Sequence, residues 1–224
     1  MLPADGEAQM DDRTRVRRQP HRGIYDRAEL LTLIDGLPVA SVGYCAQGRP
    51  YVYPTLAWRE GDHLYWHGSA ASHSLRHIAE GVELCVNLFA VDGLVLARSG
   101  MNSSVNYRSV TLFGRAEAIV DADSKRRALE RFIENLVPGR WVDLRPITVA
   151  ELKATTVVRM AIDEASGKVR NGPAHDDEAD YALDIWAGVV PLALEVGAPV
   201  ADPRLRPGVA EPQYLADLEF GEHA

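Results

Sequence analysis

Cysteine is nearly missing: Cys45 and Cys85 are the only two in 224 residues. That excludes a disulfide-stapled scaffold, and neither cysteine has a neighbour at metal-ligand spacing. Both lie in strand-like runs, so reduced, buried thiols are expected. Positive charge is also short. With 24 Lys and Arg against 32 Asp and Glu, the net charge is -8, which disfavours phosphate-backbone binding and speaks against a nucleic-acid partner. No apolar run approaches the roughly 18 residues needed to span a bilayer. Met1 to Gln19 contains no apolar core of a secretory signal. A cytoplasmic setting without membrane contact is expected. Familiar signatures are absent too: no GxGxxG after a strand, no Walker loop, no HExxH and no GxSxG. His63 and His67 are four apart, which on a strand puts them about 13 Å from each other. That is too far for one ion, and no metal site is expected.

What remains is an ordinary globular composition, 46% hydrophobic and 25% charged, enough for one sizeable core. Arg13, Arg15, Arg17, Arg18, Arg22 and Arg27 crowd behind the acidic start Asp5, Glu7, Asp11 and Asp12. Residues 1–22 therefore read as a flexible charged arm, and 193–224 as a polar, proline-bearing tail. Between them the pattern is mainly β with inserted helices. Asp26 with Glu29 three residues on caps a first helix carrying Leu30, Leu31 and Ile34, which Gly36 can close in left-handed form. Strands are expected over Pro38–Cys45, Tyr51–Trp58, His63–His67, Val82–Phe89, Leu94–Ala97, Asn106–Ala116 and Thr155–Ile162. Pro54 marks the second of these as an edge, a bulge or a ligand-facing stretch. Asp92-Gly93 reads as a turn. A short helix opens at Gly68-Ser69, with Leu75, Ile78 and Ala79 inward and Gly81 at its end. The helix at 121–137 is the clearest, capped by Asp121, with Leu129, Phe132, Ile133 and Leu136 on one face. Thr148 with Glu151 caps another.

Chemistry concentrates in His67-Gly68-Ser69-Ala70-Ala71-Ser72-His73-Ser74. A strand end meeting a helix start offers free N–H groups and the positive end of the helix dipole, the ingredients of an anion site. Ser69 and Ser72 can donate to a phosphate there or simply cap the helix. Arg108, alternating with bulky neighbours in Asn106-Tyr107-Arg108-Ser109-Val110, must pair with something or point into a site. His67, ending a strand, is the candidate proton donor, with a packed or capping histidine as the alternative. Lys168-Val169-Arg170 and the stretch around Trp186 are the remaining distinctive pieces.

Taken in order, several segments resemble the pyridoxamine 5′-phosphate oxidase-related flavin-nucleotide-binding proteins, including the branch similar to nitroimidazole-resistance reductases. They are Tyr25-Asp26-Arg27, Tyr53-Pro54-Thr55, Leu64–Ser69, Asp92–Ser99, Asn106–Val110, Phe113–Ala116, Lys168–Arg170 and Trp186–Val189. The resemblance implies a split β-barrel over residues 23–192, a homodimer, and FMN lying between subunits. It implies that Tyr53, Pro54, Thr55 and Leu56 face the isoalloxazine edge and that Gly68, Ser69, Ser72, His73 and Ser74 hold the phosphate. Asn106, Arg108, Ser109 and Trp186 would border the shared groove. Many relatives carry Ser-Arg-Lys where this chain has Ser72-His73-Ser74, so two firm cations are missing and Arg76 follows one turn later. The implied function is an FMN-dependent oxidoreductase acting on a small molecule. The substrate-phosphate residues of pyridoxamine phosphate oxidation itself find no match. Two alternatives stand beside it: a haem-binding or haem-handling barrel with His67, His73 or His77 as axial ligand, and a cofactor-free ligand-binding barrel.

Overall fold

The computed structural model of the protein describes residues 12–216 and 218–221. Its elements in chain order are β1 (Gly23–Ile24), α1 (Arg27–Asp35), β2 (Val39–Ala46), β3 (Arg49–Glu60), β4 (His63–Ser69), α2 (His73–Ala79) and β5 (Glu83–Leu96). Then follow β6 (Ser104–Ala118), α3 (Ala122–Leu136), α4 (Val149–Ala154), β7 (Thr155–Ala161), β8 (Glu164–Arg170) and β9 (Gly188–Pro191). The strand order is β1-β8-β6-β7-β4-β3-β2-β5-β9, and β5 also pairs with β6. That extra ladder, from Glu83↔Arg115 to Val95↔Ser104, closes β6, β7, β4, β3, β2 and β5 into a barrel. β8 and β9 extend from its seam. This is the split-barrel architecture expected from the sequence, mainly antiparallel β with four helices.

The barrel splits along β6. Its residues 107–113 pair with β8, whereas Ala116–Ala118 pair with β7. Gly114 stands at the switch with φ 148°, a region that side-chain-bearing residues rarely adopt. Alternation then sorts the side chains. Val42, Leu64, Trp66, Val86, Leu88, Leu112 and Met160 fill the interior, each no more than 1% exposed. A second core lies outside the barrel wall, where Trp58, Tyr65 and Val157 meet Ala128 and Leu129 of α3 and Leu152 of α4.

Local signals name the helix caps well. Asp26 accepts from Glu29 N, Asp121 from Ser124 N, and Thr148 with Glu151 forms a reciprocal capping box. Several expectations need correction. Cys45 and Cys85 are exposed, because Tyr44, Leu84 and Val86 take the inward positions of their strands. Gly36 closes α1 at φ −81°, not in left-handed form. α2 starts only at His73, with Gly68 and Ser69 still in β4, and Ala79 faces solvent. Asp92-Gly93 is a register shift inside one long β5. β8 escaped notice because its inward residues are small: a Cβ at Gly167 would sit 2.9 Å from Ile24 Cβ and 3.0 Å from Leu33 Cδ1. The close seating of β1 and α1 excludes the large side chains that announce a strand.

Among the described residues of the N-terminal arm, Thr14 is 2% exposed and Arg13 pairs with Glu83 and Glu164. Residues 1–11 lie outside the described part. In the tail, the Tyr214 hydroxyl donates to Asp143 and accepts from Arg140. Among the described residues no helix is long and apolar enough to cross a membrane.

Candidate functional site

The hairpin turn Gln47-Gly48 places Tyr44 directly opposite Tyr51, and their rings stack with centroids 5.2 Å apart. Tyr53, two residues along β3, meets Tyr44 edge-on at 6.5 Å. α2 lies over this aromatic strip. The Tyr44 hydroxyl donates to Ser74 Oγ (3.1 Å) and stands 3.2 Å from His73 Nδ1. His73 Nε2 in turn lies 3.2 Å from His77 Nε2, and His77 Nδ1 is 3.1 Å from Glu80. Tyr44, His73, His77 and Glu80 thus form one continuous hydrogen-bonded chain whose proton positions follow the histidine tautomers.

β3 borders an open fork beside this cluster. Only Ala57–Glu60 of β3 pair with β4, while β4 continues to Ser69 against β7. Among the described residues, 49–56 therefore have β2 on one side and no strand on the other. Pro54 fits there because no ladder donor is required of it on that edge. Tyr53 is tied back to the core by the Trp66 indole N–H (3.1 Å), and burial pushes its hydroxyl pKa up to about 12. Thr55 donates to Leu56 O. The structure thus brings Tyr53, His73 and Ser74 together, with Tyr44 and Tyr51 as members the sequence reading missed. The two-residue turn between them was the signal that could have revealed the pair.

Other candidate residues fall elsewhere. Ser72 caps α2 by accepting from Leu75 N, and Ser69 Oγ accepts from Ala71 N, so both hydroxyls serve the backbone. His67 alternates with Trp66 and therefore points outward under α3, not toward a site mouth. Its ring meets Phe132 at 4.4 Å, its Nδ1 is buried without a partner, and burial lowers its pKa. Arg108 finds its partner in Asp92. Asn106 is buried against Arg170, and Ser109 donates to Lys168 O. Trp186 is 67% exposed, with its indole over Gly188. The register separates these residues from the tyrosine cluster: Tyr44 stands opposite Leu84, and Leu84 opposite Gly114. Arg108 is six residues further along β6, about 20 Å away.

Comparison with known proteins bears on this geometry. The family described as pyridoxamine 5′-phosphate oxidase matches residues 26–169, from the cap of α1 into β8. The chain belongs to this family. Among solved structures it is similar to the flavocytochrome Anf3 from Azotobacter vinelandii, with 43% identity and a TM-score of 0.89 over 94% of this chain and 98% of that one. It is also similar to the FAD and haem binding protein from Mycobacterium smegmatis, with 39% identity and a TM-score of 0.84 over 88% of this chain and 97% of that one. A protein from Bacteroides thetaiotaomicron described as a 5-nitroimidazole antibiotic resistance protein shares the fold. Its identity is 23% and its TM-score 0.55, over 66% of this chain and 86% of that one. No curated protein sequence matches the chain. His73 and Ser74 stand at the positions where many relatives carry two cations, and Arg76 and His77 follow one turn later on α2.

Proposed function

We propose that this chain is a flavin- and haem-binding redox protein that works as a homodimer. The observation that carries the reading is the His73–His77 pair on α2. An imidazole oriented through Nδ1 by a tyrosine hydroxyl, with a second imidazole beside its Nε2, has the chemistry of a haem site. The likeness to two haem-associated proteins over nearly the whole chain supports it. His73 would hold the iron, Tyr44 would orient its ring from Nδ1, and His77 would give up its contact with His73 Nε2 to make room. The open edge of β3 at Tyr53–Leu56 would carry the flavin nucleotide, FMN or FAD. When bound, a flavin and a haem supply two-electron and one-electron chemistry on one scaffold. The chain's own part is to bind, orient and shield them. An oxidoreductase acting on a small molecule follows from that pairing.

The homodimer rests on exposed apolar surface along one edge of the barrel. Phe89 (52% exposed), Leu94 (40%) and Val190 (41%) lie on β5 and β9, a pattern that second copies cover. Trp58 and Tyr65 are already covered by α3 and leave this role to other apolar side chains. Across a two-fold axis, Trp186 and Arg108 of one protomer would reach the fork of the other.

The test is the absorption spectrum of freshly purified protein, with and without added FMN, FAD and haemin. A Soret band together with flavin bands is expected, and His73→Ala should lose the Soret band while keeping the flavin bands. Protein that takes up none of the three overturns the reading. A sedimentation mass of a single chain at micromolar concentration overturns the dimer.

A further inference from the structure

Arginines in this molecule mostly find carboxylates. Arg27 pairs with Asp62, Arg59 with Asp35, Arg98 with Asp176, Arg145 with Glu151 and Arg159 with Glu117. One place breaks the habit. Arg18, Arg22, Lys168 and Arg170 line a single open cavity of about 580 Å³, together with the hydroxyls of Ser104 and Tyr107, and no carboxylate among the described residues lines it. None of the four cations makes an ion pair among the described residues.

Arg170 is the telling member, because it is only 8% exposed. Its guanidinium donates to Asn106 Oδ1, to Gly172 O at 3.0 Å and to Pro173 O at 2.9 Å, all uncharged acceptors. Burial, and then the like charge of Arg22, work against its protonated form. A buried cation among cations is unfavourable unless something supplies negative charge. The fold enforces the crowding. Lys168 faces Gly23 across the β1–β8 ladder, and Arg170 faces Tyr107 across β6–β8. The 3-10 turn Pro20–Arg22 then brings Arg22 in immediately ahead of Gly23.

We propose that this cavity binds the diphosphate group of a nucleotide-sized ligand. Several cations in one concavity call for several negative charges close together. Guanidinium forks and hydroxyls match phosphoryl oxygens, which accept from many directions at once. An acidic protein surface could meet Arg18 at the rim but could not reach the buried Arg170. On a chain of net charge -8, such a cavity also draws anions locally that the rest of the surface repels. The cavity is separate from the tyrosine–histidine cluster: Tyr107 lies seven residues along β6 from Gly114, the level of Tyr44, or about 23 Å.

The experiment is calorimetric titration of the full chain with inorganic pyrophosphate, ADP and adenosine. Pyrophosphate and ADP should bind at one site per chain, more weakly as salt rises, and adenosine should not bind. Arg22→Gln and Lys168→Gln, both on partly exposed side chains, should each weaken ADP by about tenfold to a hundredfold without moving the thermal unfolding midpoint. Arg22→Lys should restore most of the affinity. Absence of binding by both anions, or equal binding by the Arg22→Gln/Lys168→Gln double variant, overturns the proposal. A competition arm identifies the source of the diphosphate. If ADP displaces bound FAD, the cavity seats the flavin's own diphosphate; if ADP binds beside FAD, the ligand is a separate nucleotide. The ADP titration needs no haem or flavin, so it can succeed or fail independently of the absorption spectrum.

Discussion

The tyrosine–histidine cluster and the basic cavity sit at opposite ends of one barrel and are built on opposite terms. At the first end these polar groups answer one another from within the chain: Trp66 meets Tyr53, Tyr44 meets Ser74, His73 meets His77 and His77 meets Glu80. At the second, like charges are gathered with no carboxylate of the described residues among them. The first arrangement is complete as it folds. The second is incomplete as it folds. A satisfied network is rigid and fixes geometry; an unsatisfied charge cluster stores its stabilisation for a ligand.

The comparison breaks most visibly at Trp66. It is fully buried, and its N–H holds Tyr53. Trp66→Ala should cost about 3–5 kcal/mol by denaturant unfolding and loosen the whole tyrosine end. A loss under half of that would mean that the tyrosines are held from elsewhere. Tyr44→Phe is subtler. It keeps the stacked ring and deletes the hydroxyl that joins Ser74 to His73, so a cost of about 1 kcal/mol is expected. Haem uptake should also weaken, since the His73 ring is no longer oriented from Nδ1. Unchanged stability and uptake would remove Tyr44 from the site.

His67 yields a smaller effect with a definite sign. Burial holds its pKa below the ordinary value, so below about pH 6.5 the unfolded chain takes up a proton that the folded chain resists. Its contribution is therefore fully present above that pH and is lost as pH falls toward the folded-state value. His67→Leu, compared with the parent in urea at pH 7.5 and 5.5, should flatten the acid loss. An unaltered slope would assign it to other groups. The smallest effect belongs to the basic end. Lys168→Gln should leave the stability of the ligand-free chain within about 0.5 kcal/mol of the parent, or raise it. A clear destabilisation would mean that Lys168 is already paired, and the contrast between the two ends would fail.

Much of this was legible in the chain. The caps at Asp26, Asp121 and Thr148 depend on a side chain reaching a backbone N–H three residues away, so sequence neighbours decide them. The amphipathic face of α3 and most strands of the barrel follow from periodicity for the same reason. What escaped was set by distant neighbours. β8 lacks large side chains because α1 and β1 press against Gly167. His67 read as a strand-end histidine, yet its orientation depends on Trp66 taking the interior and on α3 arriving from 65 residues downstream.

Sequence alone determined the family, the barrel class and the places where helices begin, since these rest on local hydrogen bonding and on the spacing of apolar side chains. Only the tertiary structure decided which groups meet. The β2–β3 register set Tyr44 against Tyr51, and α2 laid His73 on that hydroxyl. The antiparallel return of β8 along β6 gathered Arg18, Arg22, Lys168 and Arg170 from segments some 150 residues apart. Charge acts through space, and no local pattern records which cations a fold will bring together or leave without a counter-ion.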